Sequence, residues 1–339
     1  MNELVPTKEN INPELILILE RKDKKGNITN IQKVYPIKNG RISYPSRLKS
    51  KIIEATISEG VENIGDINTW YSSEYDGSAN SKLPFGIFSF NSHDFRGCEN
   101  LISVNLPKSL EVIGDASFVE CRKLKDVNFP ENLKIIGDSA FSKCSSISSI
   151  DIPNSVVDIG YHAFSHCENL EDVNLPEELI TIKDSTFKDC RKLKQIEFSD
   201  RLTEIQQKAF ENCESLTSIK LPEELVEIGE CAFESCKKLK TVYLGSNLRD
   251  CPRRDYAPNH GLSASPFKYC NAIRTVYLPI ERKNFYERYF YDFVNYKDIK
   301  EYGKENNGQA DNNIRENNEL EIKPEQINKD TVERDEEER

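Results

Sequence analysis

Several things are scarce in this sequence at once. Its 339 residues include one tryptophan, one methionine and four histidines, and hydrophobic residues make up 37%, below the about 45–50% usual in globular domains. A large compact core is not expected; a thin one fits better. The longest apolar run, Leu15 to Leu19 between Glu14 and Glu20, falls far short of the roughly 18 residues a membrane helix needs. No membrane span is expected. The opening MNELVPTKEN has no basic stretch leading into an apolar run, so no secretory signal is expected. Positive charge is the scarcer sign: 46 Lys and Arg stand against 57 Asp and Glu, a net −11, which argues against nucleic acid as a partner. Residues 304–339 hold twelve acidic and six basic side chains, net −6, leaving −5 for the rest. GxxxxGKS/T, GxGxxG, HExxH and GxSxG are all missing, so no catalytic residue and no cofactor is assigned.

What the chain does have is a period. Cys98, Cys121, Cys144, Cys167, Cys190, Cys213 and Cys236 follow one another at a single constant interval. Three positions before each lies Phe95, Phe118, Phe141, Phe164, Phe187, Phe210 or Phe233, and three after lies a leucine or isoleucine. An aliphatic follows (Val104, Val127, Ile150, Val173), then a second apolar residue two places on (Leu106, Phe129, Ile152, Leu175), and usually a proline. The second half of the unit runs Leu110, Ile113, Gly114, then Leu133, Ile136, Gly137. A fixed period of this length means a stacked repeat.

Each part has a physical cause. Val104 and Leu106 are two apart and share one side of a strand, while Ser103 and Asn105 share the other. Proline ends the strand because it lacks the N–H to continue a ladder, and the glycine is read as permitting a tight bend. One unit of this size encloses nothing, but stacked units bury each Leu, Ile, Phe and Cys against its counterparts.

The array extends with interruptions. Ile52, Ala55, Ile57, Val61, Ile64 and Gly65 fill the slots of an earlier coil, and a long insertion then precedes Phe95. Phe267, Cys270, Ile273, Val276 and Leu278 restore the pattern after a shorter one. The expected organisation is a cap over 1–48 with a hairpin in it, repeats over 49–280 with insertions at about 66–94 and 252–266, a helical cap over 281–303, and a disordered acidic tail over 304–339. The helical cap rests on Phe285, Tyr289, Phe293 and Tyr296 at roughly helical spacing.

The unit CRKLKDVNFPENLKIIGDSAFSK from Cys121 closely resembles the BspA-like, or Treponema pallidum-type, leucine-rich repeats, over about residues 50–280. The resemblance implies a leucine-rich repeat solenoid: a curved right-handed superhelix with a parallel β-sheet on one face, short strands, turns or helical segments on the other, and capped ends. It also implies a surface that binds other macromolecules, host or matrix proteins among them. The chain shows neither a signal peptide nor, at its end DEEER, a wall-sorting motif. A cytoplasmic location is therefore expected, with the cell surface, reached by unconventional export, as the alternative.

The cysteines are read as buried reduced thiols acting as small apolar residues, because parallel side-chain vectors fit disulfide torsions poorly and no CxxC or paired His–Cys cluster is present. Cys270 continues the column, Cys251 takes an isoleucine slot, and Cys231 lies off both. His162 and His166 are four apart, the spacing of two helical ligands, yet the slot of His166 holds Glu120, Lys143 and Asp189 elsewhere. No metal is assigned.

The outward strand position holds Asn105, Asn128, Asp151, Asn174, Glu197, Lys220, Tyr243 and Tyr277, one per coil. Inward slots barely change from coil to coil whereas this row does, and it is the candidate partner-binding face; plain solvation is the alternative. Basic residues such as Arg122, Arg191, Lys194 and Lys237 line one edge and Glu177, Glu178 and Glu223 the other. The first insertion adds Trp70 and Tyr71, either packed on the solenoid or in contact with a partner. The expected function is a noncatalytic scaffold for a protein partner, with an adhesin as the alternative.

Overall fold

The structure is a computed structural model; it describes residues 14–23, 25–37, 44–58, 63–64, 95–248, 265–279 and 298–302. An N-terminal hairpin comprises β1 (Glu14–Lys22) and β2 (Ile28–Pro36). The coils then contribute β3 (Ile52–Ile57), β4 (Asn63–Ile64), β5 (Ser103–Asn105), β6 (Val112–Ile113), β7 (Asp126–Val127), β8 (Ile135–Ile136), β9 (Ser149–Asp151) and β10 (Asp158–Ile159). They continue through β11 (Asp172–Asn174), β12 (Thr181–Ile182), β13 (Glu204–Ile205), β14 (Ser218–Lys220), β15 (Glu227–Ile228), β16 (Thr241–Tyr243), β17 (Thr275–Pro279) and β18 (Asp298–Tyr302). Consecutive coils pair in parallel, one repeat out of step: Asp172 to Asn174 lie against Ser149 to Asp151, and Ile159 lies against Ile136. The chain is thus a parallel β-solenoid, and the single helical element among the described residues is a short 3-10 turn at Ser46–Lys51.

Each coil has a third side without strands, and it is the most regular of the three. Ala116, Phe118 and Glu120 donate their N–H groups to Asp138, Ala140 and Ser142 of the next coil at 2.8, 2.8 and 2.9 Å. Ser139, Phe141 and Lys143 repeat this against Tyr161, Ala163 and Ser165 at 2.7, 2.8 and 2.7 Å. The residues between them turn inward instead, Val119 to Ala116 and Cys121 to Phe118 at 3.3 and 3.1 Å. Alternating bonds of this kind require two left-handed residues per coil, such as Ala116 (φ 53°) and Glu120 (φ 64°) or Ser139 (φ 56°) and Lys143 (φ 63°). None of these is glycine, although a left-handed non-glycine residue costs about 1–2 kcal/mol. The inter-coil ladder offsets that cost.

Glycine is used elsewhere, and for a different reason than a bend. A Cβ on Gly160 would lie 2.4 Å from the backbone nitrogen of Asp138, and one on Gly229 would lie 2.3 Å from that of Gln207. Neither residue is left-handed. The glycines let successive coils approach closely at the second strand, correcting the expectation of a tight turn. The second-strand sheet divides between β10 and β12, at the coil where Lys183 takes the glycine slot.

Down the centre, Phe95 to Phe267 form one stack, with ring centroids 5.0–5.6 Å apart and planes within 11°. Beside it runs the thiol column. Cys121, Cys144, Cys167 and Cys190 each donate S–H to the carbonyl of the phenylalanine one coil back, at 3.1–3.3 Å. Cys270 reaches Phe233 at 2.9 Å across the second insertion. The thiols therefore act as donors as well as small apolar fillers. All nine described cysteines are reduced and buried; Cys251 lies outside the described residues. Burial pushes Cys167 up to about 12, and the Cys144 and Cys190 thiols well above their ordinary value.

The ends differ from one another. At the N-terminus β1 lies antiparallel to both β2 and β3, and β3 passes into the parallel array through Ala55 against Val104. Leu15, Leu17 and Leu19 are buried there, and the Tyr44 hydroxyl lies 3.3 Å from the Cys98 sulfur. At the C-terminus the helical cap expected over 281–303 is corrected over its last part. Residues Asp298–Tyr302 form β18, parallel to β17, with Ile299 against Val276 and Lys300 against Tyr277. Both pairings step by one full repeat, so an open sheet edge is extended by another coil in register. Ser265 and Pro266, expected at the end of the second insertion, belong to the coil, since the Pro266 carbonyl accepts the Phe233 N–H at 2.7 Å. The segments 66–94, 252–264, 281–297 with the aromatics on which the helical cap rests, and 304–339 lie outside the described residues.

The aromatic stack and the thiol column can each be tested. Phe164→Ala removes a ring from mid-stack and is expected to cost about 3–5 kcal/mol, read as a lowered urea midpoint. Thiols whose ionisation is suppressed in the folded chain lose their protons first in the unfolded chain, so stability holds below an ordinary value of 9.0 and falls as pH rises toward about 12. Each such thiol contributes a slope of about 1.4 kcal/mol per pH unit. Thermal melting between these limits measures the slope, and alkylation at neutral pH should leave the nine described thiols unlabelled until denaturant is added.

Candidate functional site

The candidate face is built by the two-residue alternation of the first strand. Val104, Ile150, Val173, Ile219, Val242 and Val276 are buried, so the residue that follows each must point outward. Asn105, Asn128, Asp151, Asn174, Glu197 and Lys220 are exposed, and Tyr243 and Tyr277 are half-buried. Register holds the row together where strands pair, with Asp151 beside Asn174 and Lys220, Tyr243 and Tyr277 on consecutive strands. Trp70 and Tyr71 lie outside the described residues.

The structure adds two members to the row that sequence reasoning misses. Thr56 stands against Asn105, whose side-chain amide donates to the threonine hydroxyl at 3.0 Å. Lys300 stands against Tyr277 at the other end. A signal for Lys300 exists, since it lies one full repeat after Tyr277, but the aromatic spacing before it favours a helix instead.

Tyr243 and Tyr277 stack face to face with centroids 4.2 Å apart and planes 5° apart. The Lys300 ammonium sits 5.4 Å from the Tyr277 ring centre and 3.5 Å from its hydroxyl. Burial, and then the neighbouring Tyr277, hold the Tyr243 hydroxyl above its ordinary value of 10.0. It is a hydrogen-bond donor at neutral pH.

The charged edges behave differently from the row. Arg122 meets Glu99, Arg191 and Lys237 both meet Glu214, and Lys194 meets Glu171, at 3.9, 3.3, 3.0 and 2.6 Å; Arg201 pairs with Glu178. These partners sit in equivalent slots of adjacent coils. Four cations of the basic edge, and Glu178 of the acidic one, thus enter cross-coil pairs. They need the stack to exist.

The two histidines do not share a helix. His162 (φ 56°) and His166 (φ 58°) occupy the two left-handed corners of one coil, and His166 Nδ1 lies 3.5 Å from Asp189 of the next. Asp189 is buried and also holds Arg191 and Asn212 at 3.1 Å each. Among the described residues no group of three or more His, Cys, Asp or Glu is placed to hold a metal ion, and no helix is long and apolar enough to cross a membrane.

Over residues 74–179 and 158–300 the chain matches, in six copies, a family model described as the BspA type leucine rich repeat region. Among solved structures it is similar to a T. pallidum leucine-rich repeat protein, at 33% identity and TM-score 0.33, over 43% of this chain and 58% of that one. It therefore spans less than two thirds of that protein. A Bacteroides ovatus leucine-rich repeat protein matches at 18% identity and TM-score 0.29, over 89% of this chain and 100% of that one. The pneumococcal vaccine antigen PcpA matches at 19% identity and TM-score 0.32, over 80% and 86%. No curated protein matches.

The cross-coil pairs make a measurable claim. Glu214→Gln leaves Arg191 and Lys237 without their shared carboxylate and is expected to cost up to about 1 kcal/mol at low salt. The difference from the native chain should vanish in about 1 M salt; an unchanged melting difference would show that packing, not charge, is responsible.

Proposed function

From the premise that this chain belongs to the BspA-type leucine-rich repeat family, we propose that it is a noncatalytic scaffold that binds a protein partner along its strand face. The observation that carries this reading is the outward row. It runs from Thr56 to Lys300 at one residue per coil, it is exposed over six consecutive coils, and it ends in two stacked tyrosines beside Lys300. Tyrosine combines apolar area with a hydroxyl and loses little side-chain entropy on binding, which suits it to the centre of an interface.

Catalysis is disfavoured by the same geometry. A row of like slots sets side chains one strand apart, about 4.8 Å, and parallel to one another, whereas nucleophile and base must meet within hydrogen-bond reach. The described thiols cannot substitute. They are buried, and Cys144, Cys167 and Cys190 are held in the protonated form, whereas the thiolate is the reactive species.

The test is capture of partners from native extract on immobilised full-length chain. The double variant Tyr243→Ala/Tyr277→Ala should lose the retained partner while keeping the melting transition cooperative. Retention equal to that of the native chain would remove the strand face as the binding surface.

A further inference from the structure

The strand face changes electrostatic character along its length. From Asn105 to Glu197 its outward row is neutral or acidic; at the leading rim of these strands Lys194 meets Glu171 of the adjacent coil, while Lys125 is exposed and in no ion pair among the described residues. Beyond Glu197 the outward row itself changes, from neutral and acidic residues to lysine and tyrosine. Lys220 and Lys300 flank the two tyrosines in register on strands β14 and β18. Lys240 and Arg274 lie three positions before Tyr243 and Tyr277, exposed at the leading rim of the same strands. The Arg274 N–H bonds to the Lys240 carbonyl at 3.0 Å, which places these two in adjacent coils as well.

Among the described residues no ion pair includes any of these four cations. In sequence, β14, β16, β17 and β18 carry two acidic residues, Asp298 and Glu301, both on the outermost strand. A net positive surface is therefore left at one end of a chain whose overall charge is −11.

The tyrosines narrow the ligand class further. Each ring covers one face of the other, and Lys300 stands over the far side of the Tyr277 ring. A nucleobase or a sugar ring seeking a flat aromatic face finds most of them occupied. With these faces covered, ring edge and hydroxyl are what the pair has left to offer a ligand: the electropositive part of an aromatic ring and a hydrogen-bond donor. Edges, a hydroxyl and four cations ask for the same thing, a string of anionic hydrogen-bond acceptors.

Resting on the protein-binding reading above, we propose that the strand face over β14–β18 captures an acidic segment of a polypeptide partner. Carboxylates of an extended chain laid across the strands accept from Lys220, Lys240, Arg274 and Lys300, with the Tyr277 hydroxyl donating between them while that of Tyr243 donates to Tyr277.

The probe is a fluorescein-labelled oligoglutamate titrated with the full-length chain and followed by anisotropy, with a matched oligoglutamine as control. Binding of oligoglutamate alone is expected, weakening steeply between about 50 and about 300 mM salt. Lys220→Gln/Arg274→Gln should weaken it about tenfold or more, and Lys143→Gln/Lys194→Gln, which removes cations already paired, should change it less than about twofold. Both pairs are exposed, so all variants should melt cooperatively. Absence of oligoglutamate binding, or equal losses in the two variants, overturns the proposal. Binding of a sulfated polysaccharide at the same cations without binding of the peptide overturns it too, in favour of an anionic glycan. Partner capture that needs Tyr243 and Tyr277 but not Lys220 and Arg274 leaves the scaffold reading standing and removes only the acidic class.

Discussion

The backbone ladder along the phenylalanine corner is the constraint on which everything else in this molecule depends. At Ala116, Phe118 and Glu120, and at their equivalents in each coil, alternate N–H groups reach forward to the next coil while the residues between close tight turns within their own. That pattern fixes the step between coils. Once the step is fixed, like side chains stand above like: the phenylalanines stack, each cysteine finds the carbonyl one coil back, and glycines such as Gly160 and Gly229 sit where no side chain would fit. The two strand columns, only two or three residues long in most coils, would be marginal as isolated hairpins. They persist as sides of a frame held at its third corner.

The same step organises the surface. Because equivalent slots lie in adjacent coils, a glutamate and a lysine one repeat apart in sequence become neighbours, and several charges of the edges pair across coils. Pairing across coils leaves other cations, such as Lys125, Lys192 and Lys220, outside any ion pair among the described residues. The C-terminal strand face differs in what it gathers: Lys220, Lys240, Arg274 and Lys300 surround two stacked tyrosines. Its distinctness is invisible to a count of charges, because the chain as a whole is acidic.

Much of the fold is legible without coordinates, and for a physical reason. A solenoid repeats one local problem, so the spacing of Phe, Cys, Leu and Val states the solution many times over. The inward and outward parity of the strand follows from a two-residue alternation and places Asn105 through Tyr277 on one face. Reading fails where the repeat is interrupted or where one residue type serves two purposes. Phe285 to Tyr296 present a helical period that hides the register of Val276 and Ile299, one coil further on. Gly160 suggests a bend because glycine is common in bends, whereas what it supplies is room for a neighbouring backbone. The left-handed corners at Ala116 and Glu120 carry no glycine and leave no mark in the sequence at all.

By itself the sequence determined the period, the stacked architecture, the buried identity of each aromatic and thiol, and which strand residues look outward, because each depends only on spacing along one coil. The tertiary structure decided what depends on two coils at once. It set which charges pair with one another, that the thiols donate to the preceding coil, that two tyrosine rings stack face to face, and that Lys300 extends the row. Those are relations across the stack, and they acquire a distance only when the coils are laid on one another.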